Sequence, residues 1–169
     1  AEVAAGFSDP DDFEFIQLKN IGGQTLDLSE LSFTDGMGFD FATGLVTSLA
    51  PNATVIVVRS LNAFRFRYGS SFDSLLAGQF TGGLSNGGEQ IVLETPSEVI
   101  RSFSYGDSLP WPECADGDGI SLILLAPDSS PDHSLAVNWM GSAQIGGLPG
   151  GQPRSLTYAE WQAYSFAPG

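Results

Sequence analysis

PWPECADGDGISL, residues 110 to 122, crowds a tryptophan, a cysteine and several carboxylates into a short stretch ahead of an apolar run. Its reading decides whether the chain carries a site here or a turn. A calcium loop of the EF-hand kind needs oxygen donors at positions 1, 3 and 5, Gly at 6 and Glu at 12. Counted from Asp116, those later positions hold Ile120, Ser121 and Pro127, none of which meets the requirement. The alternative is structural. Asp116 and Asp118 make side-chain turns, Gly117 and Gly119 supply backbone with positive φ, and the chain is delivered into the strand ISLILLA (120–126). Trp111, held between Pro110 and Pro112, has the one aromatic context that argues for a fixed edge.

Outside this stretch little reads as chemistry. With one Cys and one His, Cys114 and His133, neither a disulfide nor a zinc cluster can form, so no metal and no cofactor is expected. A Ser-His-Asp triad would have to use His133, in the polar run PDHSL, and no G-x-S-x-G elbow occurs. We therefore expect a surface histidine and no enzyme. Twenty acidic residues make carboxylate pairs too abundant to be informative. Residues 1–12 are expected as an acidic lead-in, and the run FSDPDDFEF (7–15) is expected to be solvated rather than to help hold a cation, since it lacks a glycine turn to wrap the ion.

The length of 169 residues fits one domain, and 42% hydrophobic residues with 21 Gly, 10 Pro and 12 Phe belong to an ordered, turn-rich chain. A net charge of −14 repels a phosphate backbone, so nucleic acid is not expected as a partner. The longest apolar runs fall far short of the roughly 20 residues that span a bilayer, so no membrane insertion is expected. The chain lacks an initiating Met and a signal sequence, and is expected to be a piece of a longer protein.

Short β-branched and aromatic segments separated by Gly, Asn, Asp and Pro predict an all-β fold. FEFIQLKN (13–20) alternates as a half-buried strand, followed by a glycine turn in IGGQ. TLDLS, LSFTD and GMGFDF continue as a meander in which Phe39 and Phe41 share a face. ATVIVVRS (53–60) is almost wholly apolar, as a central strand covered on both faces would be. EQIVLET (89–95) and VIRSFSYG (99–106) flank PSE as a hairpin, ISLILLA gives a last strong strand and AVNWM (136–140) a weaker one. In SLNAFRFRYG (60–69), Ser60 or Asn62 caps a short crossover helix that Gly69 ends. After the break GGLPGGQP (146–153), residues 154–169 read as a helical segment leading into a further domain.

Arg59, Arg65 and Arg67 fall within nine positions, are expected on the crossover helix, and form a local positive spot on this acidic chain. They read either as a binding face for an anionic partner or as internal ion pairs with acids such as Asp73.

Taken in order, FEFIQLKNIGGQTLDLSEL, LAPNATVIVV, NAFRFRYG, GGLSNGGEQIVLE, VIRSFSYGDSLPWPECADGDGISL and NWMGS followed by GGLPG resemble a lamin-tail domain of the bacterial extracellular type, over residues 13–153. LSNGGE, with Asn86 and Gly87, ahead of one strand, and WP with ADGDGISL after the next, is the specific part. The resemblance implies an immunoglobulin-like β-sandwich of two sheets with one short crossover helix. It implies a non-catalytic interaction or tethering module of a larger secreted or cell-surface bacterial protein, whose partner is a protein or cell-envelope component. A carbohydrate-binding module accessory to a hydrolase is the alternative. In that light Trp111, Asp116, Gly117, Asp118, Gly119, Asn86 and Gly87 are a structural signature, and no catalytic residue carries over. The family's first strand often has an acid where this chain has Gln17.

Overall fold

The computed structural model describes residues 5–115 and 119–151. Asp116, Gly117, Asp118 and the segment 154–169 lie outside the described residues, as do residues 1–4 of the lead-in. The fold is mostly β, with several sheets and one short α-helix.

A three-stranded sheet has the order β1 (Phe15–Lys19), β6 (Thr54–Val58), β7 (Leu76–Gln79). β1 runs antiparallel to β6, but β7 runs parallel to it. A parallel neighbour requires a crossover, and α1 (Leu61–Tyr68) supplies it. The Ser60 hydroxyl accepts from the Ala63 amide at its start, and Gly69, with φ +79°, ends it. The expected capping and role of this helix are thus observed, although Arg59 precedes the cap.

β6 is central and covered on both faces. Val55 and Val57 join one apolar cluster, while Ile56 and Val58 join a second with Phe64 and Leu76, against which Leu61, Tyr68 and Phe15 pack. That division is why its sequence shows no alternation.

The larger sheet has the order β10 (Val99–Ser104), β9 (Gln90–Glu94), β3 (Ser32–Asp35), β4 (Met37–Asp40), β8 (Thr81–Gly82). The β9–β10 pair is the expected hairpin, with a bulge between Val99 and Arg101. Phe33, Met37, Phe39, Ile91 and Leu93 from this sheet enter the same cluster as Val55, Val57 and Ala77 of the smaller one. Phe41 also enters it, just past β4, in a tight turn that the Asp40 carboxylate caps through the Ala42 amide. Its ring meets Phe39 edge-on at 4.9 Å.

Two further two-stranded sheets depart from the expected pair: β2 (Leu26–Asp27) with β5 (Ser48–Leu49), and β11 (Ile120–Leu124) with β12 (Trp139–Ile145). The weak strand expected at 136–140 is displaced. Residues 136–138 form a turn, and the strand begins at Trp139. The reason is local competition for the backbone: Asn138 Nδ2 donates to the Asp132 carbonyl and Trp139 Nε1 to the His133 carbonyl, which holds 132–138 as a loop. Within β11 only Ile120 is buried, and the other four residues are half-buried.

Asn20 is the buried polar side chain of the turn after β1. Its amide nitrogen donates to the Gln24 and Leu49 carbonyls, at 2.8 and 2.9 Å, and its oxygen accepts from the Gly22 amide. A fully satisfied amide is what allows a polar group there.

Candidate functional site

The signature segment LSNGGE forms a turn in which the Gly88 amide donates to the Ser85 carbonyl, leaving Asn86 and Gly87 exposed at the tip. Glu89 holds this turn. Its Oε1 accepts from the Ser85 amide at 2.7 Å and lies 3.0 Å from the Tyr105 hydroxyl, which is also 2.8 Å from the Ser85 carbonyl oxygen. The single phenolic proton is therefore shared between two acceptors. Burial first, and then the charge of Glu89, push the Tyr105 phenol well above its ordinary range, so it stays a donor at neutral pH.

Glu14 reaches the same loop from ahead of β1. Its Oε2 accepts from the Leu84 amide at 2.9 Å and lies 3.9 Å from Arg59 Nη1. Only 14% of the side chain is exposed, and burial outweighs both the Leu84 amide and Arg59, raising its pKa from 4.5 to about 7. Asp11 and Glu89 push in the same direction as burial. The folded pKa lies above the unfolded one, so the folded chain holds this proton more tightly. The contribution is full below pH 4.5 and is lost as pH rises through 7. Glu14→Gln should flatten the fall in melting temperature between pH 5 and pH 8 relative to the unmodified chain; an unchanged slope would contradict the assignment.

Each of the three arginines has a different partner. Arg59 lies beside Glu14, Arg65 Nε donates to Asp73 Oδ1 at 2.9 Å, and the Arg67 guanidinium carbon sits 3.4 Å from the Phe13 ring centre. The Arg65–Asp73 pair is exposed on both sides and worth about 0–1 kcal/mol. The contact of Arg67 with a buried ring is worth about 1–2 kcal/mol. Urea titration should therefore show Arg67→Ala to be the more destabilising change, and equal, negligible effects would return these arginines to the surface.

Trp111 is half-buried as a packing residue. Its ring lies against Gly106, where an added Cβ would come 3.0 Å from Cδ1, and its centre is 6.1 Å from that of Trp139. Trp139 in turn stacks on Phe103 at 5.6 Å and 25°. His133, expected at the surface, is half-buried 5.3 Å from Phe103, with Nδ1 2.8 Å from the Pro131 carbonyl, which makes Nδ1 the protonated nitrogen. This aromatic group fastens the β11–β12 hairpin to β10. Its members lie far apart in sequence, and only Trp111 could be singled out there.

Gly119 has φ +70° and leads into β11, as expected of the turn glycine. Gln17 uses both of its functions: Oε1 accepts from the Gly150 amide and Nε2 donates to the Gly151 carbonyl. A carboxylate could only accept. Among the described residues no three His, Cys, Asp or Glu side chains come together as metal ligands, and no helix is long and apolar enough to cross a membrane. Comparison of the chain with protein-family models, with curated proteins and with solved structures finds no match in any of the three.

Proposed function

We propose that this chain is a non-catalytic interaction or tethering module of a secreted or cell-surface bacterial protein, built as an immunoglobulin-like sandwich of the lamin-tail type. One observation carries the reading: three polar residues of the segments that carry the resemblance, Glu14, Glu89 and Tyr105, are committed to holding the fold. Glu89 and Tyr105 close the LSNGGE turn, and Glu14 straps that turn to the start of β1. The sandwich is supported by the single apolar cluster to which the three-stranded and five-stranded sheets both contribute. A second reading, carbohydrate binding, draws on the half-buried indoles of Trp111 and Trp139, since such rings can stack on sugars.

The test is retention of the purified chain by cell-envelope preparations, before and after protease treatment, beside depletion by insoluble polysaccharides. We expect retention that protease abolishes and no depletion by glycans. Depletion by a polysaccharide, lost on Trp111→Ala, would replace the first reading by the second.

A further inference from the structure

Twenty acids face six basic residues, and the five described basic residues are all engaged locally. Lys19 pairs with Asp128, Arg59 with Glu14 and Arg65 with Asp73, while Arg67 covers Phe13 and Arg101 donates to the Ile100 carbonyl and the Ser130 hydroxyl. What a partner meets is a largely uncompensated negative field. One apolar groove opens into it. About 310 Å³ in volume, it lies between Leu26–Leu31 and the turn end of the β9–β10 hairpin, where Thr95 and Ile100 close its other wall. Leu26, Leu28, Leu31 and Ile100 make its lining apolar, and Leu26 is 45% exposed.

The charged residues of the groove's own lining are both acidic. Asp27 and Glu30 belong to its wall, and Glu94 and Glu98 flank Thr95 along the hairpin. The Ser29 amide and hydroxyl bind the Asp27 carboxylate and hold it below the usual range, so it stays ionised. Of the described basic residues, Arg101 is the neighbour of Ile100 in sequence; its guanidinium donates to two neutral acceptors, the Ile100 carbonyl and the Ser130 hydroxyl, and is the one described cation on the hairpin side, facing the carboxylates of Asp27 and Glu30 in the lining.

We propose that this groove docks a cationic segment of a partner protein, with an aliphatic side chain in the cleft and flanking Lys or Arg on Asp27 and Glu30. The proposal rests on the interaction-module reading and names the chemistry of its partner. An aliphatic side chain gains from leaving water, and the carboxylates select against acidic competitors and speed the encounter. The volume lies at the lower end for ligand pockets, which suits a side chain or two better than a large cofactor.

The probe is the acetylated, amidated peptide Gly-Lys-Leu-Lys-Gly, titrated into the isotopically labelled full chain at low and physiological salt. Amide shifts should concentrate at residues 26–31, 95 and 100. Affinity should fall at least tenfold when Lys is replaced by Glu or Leu by Ser in the peptide, and likewise in the Glu30→Lys protein, whose altered side chain is exposed. Equal binding of the Leu and Ser peptides would mean charge alone and overturn the proposal. So would shifts scattered over the surface, no shifts at all, or shifts at these residues that follow protein concentration without peptide, which would mark a second copy as the occupant. Envelope retention separates the two levels. If Glu30→Lys is retained as well as the unmodified chain, the groove fails while the module stands; if neither is retained, the module reading fails.

Discussion

Phe41→Ala is expected to destabilise the chain by about 3–5 kcal/mol, the usual loss for emptying a large, fully enclosed aromatic site. Phe41 has no exposed surface and touches both Phe39 and Phe33, at 4.9 and 6.3 Å between ring centres. Its amide donates to the Leu31 carbonyl, so the backbone is fixed and cannot collapse into the void. The same change at Phe66, which is 46% exposed on α1, should stay within about 0.5 kcal/mol. Urea unfolding of both variants reads the difference as a shift in midpoint at unchanged slope. A loss at Phe41 below about 1 kcal/mol would mean that the two larger sheets do not share this core.

Gly88→Ala is expected to cost about 3 kcal/mol, well above a surface substitution, because strain and collision add. Gly88 has φ +92°, and a Cβ there would land on the Tyr105 carbonyl oxygen and 2.7 Å from the Gly106 Cα. Neither obstacle is a flexible side-chain end, so the turn or the chain just past β10 must move. Gly87, one residue earlier, has only the Ser85 hydroxyl at 3.9 Å from its added Cβ, and Gly87→Ala should change little. Thermal melts of the pair separate a glycine required by close packing from one that merely sits at a turn tip. Similar melting temperatures would show that the loop does not lie against Tyr105 and Gly106.

The contrast within LSNGGE shows what a sequence can reveal. Asn86 and Gly87 announce the turn, and the turn is there, but the tightest approach falls on Gly88 because Tyr105 crosses behind it, a fact of strand pairing. Local signals served well where the cause is local: Ser60 and Gly69 bounding α1, the unbroken apolar run of β6, the β9–β10 hairpin. They failed where the partner is distant. β7, LAGQ, has no β-branched residue and is a strand because Ile56–Val58 pair with it. β12 carries Gly, Ser and Ala through its middle and is ordered by β11. Glu14 looked like one more acid in a charged lead-in, yet its partner Leu84 lies 70 positions away and buries it. The groove at Leu26–Leu31 likewise joins two segments that no periodicity connects.

The claim that Glu89 and Tyr105 hold the fold is tested most directly by a double-mutant cycle, using Glu89→Gln, Tyr105→Phe and the pair, with stability read by urea unfolding. The two side chains meet 3.0 Å apart in a partly buried place, and the bond is charge-assisted. We predict that each single change destabilises and that the coupling energy is about 1 kcal/mol or more. Additive effects, with coupling below about 0.3 kcal/mol, would contradict the claim and leave Glu89 and Tyr105 free to serve a site.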